Sequence, residues 1–249
     1  MKKLNTLFAF LAILCLTSCN TKDDNTPSPT DSIYNPPQPT VIDNTSSTWN
    51  ISNLDVARSV DYFTTEEKDM ILELNKVRTN PKQYAEEYIK PLIKYFSGAM
   101  FQRPGEIPIV SYEGVKAVEE CYAELLKTAP MGILMPEKGL SLAAKDHVRD
   151  QGEKGFTGHG GSDGSTPKTR MQRYGTMMGY GENIAYSPTT PSGRNFVVDL
   201  LVDDGVKNRS HRTVMLKSSY TQVGVSIGKH NSNYKHMCVM DFAKDFKAN

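Results

Sequence analysis

The chain reads as an α+β sandwich, with one sheet covered by helices on both faces. Three observations predict this. Apolar residues recur at helical spacing early in the chain, as in Met70, Ile71, Leu74 and Val77. Residues 220–228 alternate, with Val223, Val225 and Ile227 facing one way and Gly224, Ser226 and Gly228 the other. Residues 237–242 are apolar on both faces, the pattern of a strand covered on each side. Helices first and strands last, around a covered sheet, define the α+β class.

The 249 residues carry 38% hydrophobic side chains and a formal charge of +1, from 29 Lys and Arg against 28 Asp and Glu. That is enough for one globular domain with appendages. The near-zero charge, with no basic block, excludes the electrostatic footprint of a nucleic-acid binder.

The first elements are a leader and a tether. Met1-Lys-Lys is a positive start, and the apolar run over residues 7–16 is too short to span a bilayer, so a cleaved signal over residues 1–18 is expected. It ends in Leu16-Thr-Ser-Cys19, which resembles the bacterial lipobox, in which the cysteine is lipidated and becomes the mature N-terminus. Asn20-Thr-Lys-Asp-Asp24 resembles the Lys-acidic tag that sends some lipoproteins to the outer surface. The expected location is therefore the outer membrane, facing outward, held through lipid on Cys19. Residues 19–54, rich in Pro, Ser, Thr, Asn and Asp, read as a disordered linker with a mean reach on the order of 30 Å. The folded domain is expected over residues 55–249, its first helix starting close to Tyr62.

Thr64-Thr-Glu-Glu67 is a capping box opening the helix that carries Met70 to Val77. Asn80-Pro81 ends that helix and starts the next, striped by Tyr84, Tyr88, Leu92 and Tyr95 and bent or shortened by Pro91. Residues 101–108 read as a loop, and 115–126 as a helix that places Cys121 beside its apolar stripe. Residues 140–154 form a helix with Leu140, Ala144, His147 and Gln151 on one side, which points His147 inward as a hydrogen-bonded core histidine. A glycine-rich loop over 158–166 leads to a short helix over 167–173, a strand over 178–186 carrying Glu182, and a helix over 195–202. With no internal repeat, the body is one domain.

Of the four cysteines, Cys121 and Cys238 lie in the body. In an oxidising compartment they are either a disulfide or two separate buried thiols.

The chemistry concentrates in Gly181-Glu-Asn183 and Asp203-Asp-Gly-Val-Lys-Asn-Arg-Ser-His-Arg212, with His159 upstream. Glu182 sits on an otherwise apolar strand and needs a partner, for which His159 and His211 are the natural choices. A carboxylate beside an imidazole fixes its tautomer, which is how a general base or a metal ligand is built. The same groups could instead form a buried polar network, leaving function to loops such as 189–194. No His-Glu-x-x-His or Cys-x-x-Cys pair marks a zinc site. Gly160-Gly-Ser-Asp-Gly164 matches Gly-x-Ser-x-Gly, yet no apolar strand precedes it, so Ser162 is not read as a nucleophile. Asp203-Asp204-Gly205 could simply end a helix, with Arg209 and Arg212 neutralising the aspartates.

Leu74-Asn-Lys-Val-Arg78, Leu142-Ala-Ala through His147, Phe156-Thr-Gly-His159, Asp163-Gly-Ser, Gly181-Glu-Asn-Ile184, Ser210-His-Arg212 and Tyr220-Thr-Gln-Val-Gly-Val225 resemble the ordered landmarks of the CAP superfamily, the SCP-like domains. The resemblance covers residues 64–246 and implies a three-layer α-β-α sandwich with a mainly antiparallel central sheet and a cleft of two histidines and two acids. His159, Glu182 and His211 match. Asp204, or Asp203, stands where the family often has a glutamate, and the disulfide-rich hinge of many members is missing. The resemblance implies a divalent cation, zinc above all, held by His159, His211, Glu182 and Asp204. Family associations with lipid, sterol, peptide and protein ligands make a recognition module the first functional expectation. The alternative is a metal-assisted hydrolase of peptides or envelope components, with Glu182, His211 and His159 catalytic.

Overall fold

A computed structural model of the chain describes residues 49–249. The expected leader, Cys19 and the tether up to residue 48 lie outside the described residues. The fold begins earlier than the expected boundary at Asp55. Trp49 and Leu54 are core residues, and Ile51–Leu54 forms a short helix, α1. Trp49 donates from Nε1 to Glu87 at 2.6 Å and packs edge-on against Tyr84, which is why a segment of linker-like composition joins the body.

Helix α2 (Thr65–Thr79) opens with the expected capping box. Glu67 N donates to Thr64 Oγ1, and Thr64 N donates to Glu67 Oε2. Met70, Ile71, Leu74 and Val77 are all fully buried. The same helix contributes Arg78, fully buried and without a carboxylate partner, whose guanidinium donates to the carbonyls of Gly132, Met215, Lys217 and Tyr220. Burial lowers its pKa to about 10. By satisfying four carbonyls from two separate stretches, Arg78 acts as a rivet between loops.

Asn80 caps α3 (Pro81–Tyr84), with Pro81 at its first position. The expected single helix does not continue. A π-helical turn (Ala85–Ile89) and a 3-10 segment (Lys90–Tyr95) follow, Pro91 lying in the latter. Strands β1 (Phe96–Ser97), β2 (Met100–Phe101) and β3 (Ile109–Val110) then make a small antiparallel sheet, and residues 102–108 between β2 and β3 are the expected loop. Helix α4 (Val115–Leu125) buries Ala117, Val118, Cys121 and Leu125.

Strand β4 (Met135–Pro136) precedes α5 (Lys138–Lys154), on which Leu140, Ala144, His147 and Gln151 are all fully buried. Helix α6 (Pro167–Gln172), β5 (Gly175–Thr176), β6 (Gly179–Ser187), α7 (Gly193–Val202) and α8 (Ser210–Met215) follow. The chain closes with β7 (Gln222–His230), β8 (Lys235–Lys244) and β9 (Lys247–Ala248).

The central sheet runs β4-β7-β8-β6, antiparallel except for the short parallel pair β4 and β7. Helix α5 covers one face and α2, α4 and α7 build the other layer, so the α-β-α sandwich is as expected. The small face of β7 explains the close approach of α5: a Cβ on Gly224 would lie 2.1 Å from Ser141 N, and one on Gly228 2.4 Å from a Val148 methyl. Glu67 also reaches the sheet, its Oε1 accepting from Ile227 N at 2.9 Å. Cys121 and Cys238 are both free thiols in the core. Burial pushes Cys121 up to about 12 and Cys238 upward as well, so both are inert apolar fillers here.

Candidate functional site

The site is built on two consecutive residues of β6, the strand at one end of the central sheet. Glu182 and Asn183 point to opposite faces, as neighbours in a strand must. Glu182 is buried on the α5 side. Its Oε1 faces His159 Nδ1 at 2.7 Å, and its Oε2 accepts from Arg170 Nη2 at 2.6 Å. Burial alone would raise its pKa, but the His159 hydrogen bond and the Arg170 charge outweigh burial and hold it below the usual carboxylate value. His159 itself stands out into solvent, its side chain 54% exposed.

His159 is positioned by the backbone before it. Gly158 adopts φ +110, which a side chain would not tolerate. Its carbonyl accepts from His147 Nε2 at 2.9 Å and from Gln151, while its N–H donates to Tyr186 Oη. Two residues earlier, Phe156 O meets His230 Nε2 at 2.8 Å, and Arg170 grips His159 O at 3.1 Å. His147 is therefore the core histidine expected, and burial lowers its pKa, keeping it neutral.

On the other face, Asn183 Nδ2 donates to His211 O at 2.9 Å. His211 Nδ1 faces Asp203 Oδ1 at 2.6 Å, and Asp203 Oδ2 accepts from the backbone N–H groups of His211 and Arg212. Asp203 thus caps α8 while orienting the imidazole. It can do both because it ends α7 in the left-handed region, at φ 57. Arg209 buckles the loop between, donating to Asp203 O, Val206 O, Glu113 and Glu120. Arg212, expected to neutralise an aspartate side chain, is buried. It holds the carbonyls of Leu201 and Val202 and reaches Glu120 and Glu124.

Asp204 is not in the site. Its carboxylate accepts from Ser111 Oγ and from the N–H groups of Tyr112 and Glu113, tying down the start of α4. The acid beside His211 is Asp203, the second of the two considered from sequence. The expected set of His159, His211, Glu182 and Asp204 accordingly does not converge: both oxygens of Glu182 are taken, and Asp204 faces elsewhere. Among the described residues no group of three or more His, Cys, Asp or Glu side chains could hold a metal ion. His159 with Glu182 and His211 with Asp203 form two separate histidine–carboxylate pairs, each presenting a bare Nε2. The sequence reading missed Arg170, Gln151 and Tyr186, and only the inward face of α5 hinted at Gln151.

A model of the cysteine-rich secretory protein family, CAP, matches residues 73–242, more than half of the chain. The chain belongs to the CAP family. No curated protein matches it. Two solved structures resemble it distantly. An extracellular protein containing an SCP domain from Bacillus anthracis shares 19% identity over 46% of this chain, with a TM-score of 0.38, and the match spans only 35% of that protein's length. An outer surface protein from Borrelia burgdorferi shares 22% identity over 51% of this chain and 87% of its own, also with a TM-score of 0.38. Within the CAP fold, the two histidine pairs flanking β6 are the candidate site.

Proposed function

We propose that this chain is an exported CAP module, held at the outer membrane by lipid on Cys19, that recognises a peptide, protein or lipid ligand through His159 and His211. One arrangement supports the reading. Each imidazole commits Nδ1 to a buried carboxylate, which places the proton there and leaves Nε2 as an acceptor reached by solvent. Such a pair of fixed acceptors suits a ligand that brings N–H or O–H donors. The same arrangement is also that of a general base, so hydrolysis of peptides or envelope components is the second reading. Ser162 offers no free nucleophile for it, because its hydroxyl lies between Asp150 and Lys154. Water would be the attacking group.

The test is the His159→Ala, His211→Ala double variant beside the wild type. Retained folding with loss of capture of surface peptides or lipids, and no turnover in either protein, supports recognition. Turnover in the wild type that disappears in the variant replaces recognition with hydrolysis. Unchanged binding overturns both. The tether is tested separately by Cys19→Ala, which should release the chain from the membrane fraction.

A further inference from the structure

We propose that the outer edge of β6 takes an extended peptide as an added strand, seated between His159 and His211. The proposal rests on the recognition reading above and names its ligand class and binding mode.

The register of the sheet decides which main-chain groups are free. Val223 O accepts from Glu137 N and Ile227 N donates to Glu67, so the odd-numbered residues of β7 turn their main-chain groups away from β8. Along an antiparallel strand these directions alternate. Gly224 and Ser226 therefore bond to Asp241 and Val239, which leaves Met240 and Phe242 to bond across to Asn183 and Gly181. Tyr180, Glu182 and Ile184 aim their N–H and C=O groups out of the sheet, along about 14 Å of edge. Among the described residues, the bond made there is Tyr220 Oη donating to Tyr180 O. Solvent reaches this edge at its centre. Glu182 is 8% exposed as a residue but only 1% in its side chain, so the accessible part is its main chain.

The walls select the occupant. Helix α6 packs against β6 on the His159 side and α8 on the His211 side, which recesses the edge between them. A second copy bringing its own equally recessed edge would strike these helices first. An acyl chain would cover the row of donors and acceptors without answering them. A single extended polypeptide answers them in register.

Side-chain preference follows from the alternation of a strand. Consecutive residues of an added strand point to opposite faces, so one meets His159 and the next meets His211. Side chains carrying N–H or O–H donors fit both Nε2 acceptors. Tyr180, 44% exposed, lies on the same face of β6 as Glu182 and offers its ring to an apolar side chain two places from the residue that meets His159.

The experiment selects nine-residue peptides from a random library on the full chain in detergent, then methylates the backbone nitrogens of the tightest peptide one at a time. Methylation at every second residue should weaken binding at least about tenfold, with the intervening positions unaffected. Hydrogen exchange should slow at the amides of Glu182 and Ile184 when this peptide binds. Peptides that bind without that alternation, or without protecting Glu182, overturn strand addition while leaving recognition standing. Capture of phosphatidylglycerol vesicles with no peptide selected does the same and makes the ligand a lipid. Protection of Glu182 that appears with protein concentration alone replaces the peptide with a second copy of the chain. Capture of neither peptides nor vesicles overturns the recognition reading together with this one.

Discussion

Glu182 and Asp241 stand directly opposite one another on neighbouring strands, and the two carboxyls share one negative charge. Asp241 is fully buried, and neither of its oxygens meets a donor. Burial first, and the Glu182 charge second, push its pKa well above the ordinary value. Protonated, it becomes a donor toward Glu182, adding a third hydrogen bond behind His159.

Asp241→Asn should therefore stabilise the protein at neutral pH. Below its ordinary carboxylate value Asp241 is protonated in both the folded and unfolded chains. As pH rises, the unfolded chain ionises first, and stability falls through the interval up to the raised folded value. Asparagine keeps a donor toward Glu182 and removes that loss. A gain of about 1 kcal/mol or more in urea unfolding at pH 7, vanishing near pH 3, is expected. A variant less stable than wild type at pH 7 would contradict the shared charge.

Glu182→Gln should act in the opposite direction. It leaves the buried Arg170 guanidinium without a counter-charge, a change on the order of 3 kcal/mol. Because the folded pKa of Glu182 is depressed, its contribution is present above the ordinary carboxylate value and is lost as pH falls through the folded one. The variant should show a shallower acid limb in thermal unfolding. Equal acid limbs would place the Arg170 charge elsewhere.

The adjacent aspartates should separate function from architecture. Asp203→Ala removes the partner of His211 Nδ1, so ring nitrogen shifts should report a mixture of tautomers and ligand capture should drop. Asp204→Ala should leave the His211 ring signals unchanged and cost about 2 kcal/mol, because three hydrogen bonds to residues 111–113 disappear. Identical ring spectra for Asp203→Ala and wild type would refute the assignment.

Gly224→Ala tests the seat of α5. Its new methyl would strike the backbone of Leu140 and Ser141, which cannot step aside, and a loss of about 3 kcal/mol is expected. Gly228→Ala meets a valine side chain and should cost less. Comparable melting temperatures for Gly224→Ala and wild type would show that the helix can move off the sheet.

What the sequence made legible was local. The Thr64 and Glu67 capping box, the stripe of α2 and the small face of β7 depend on near neighbours, and each is realised as read. The choice between Asp203 and Asp204 was not legible, because a single left-handed residue sends adjacent side chains in opposite directions. Arg170 gave no signal, since its partners Glu182 and His159 O arrive from other elements. Trp49 was hidden in linker-like composition, and contacts with Glu87 and Tyr84 help to draw it into the fold.

Glu67 has one oxygen on the first turn of α2 and the other on the backbone of β7. Helix initiation and protection of an unpaired strand N–H therefore rest on one side chain. Fraying at Thr64 would therefore also uncover a strand N–H to which a second chain could pair, so in this protein loosening of one helix end and exposure of a sheet edge are coupled.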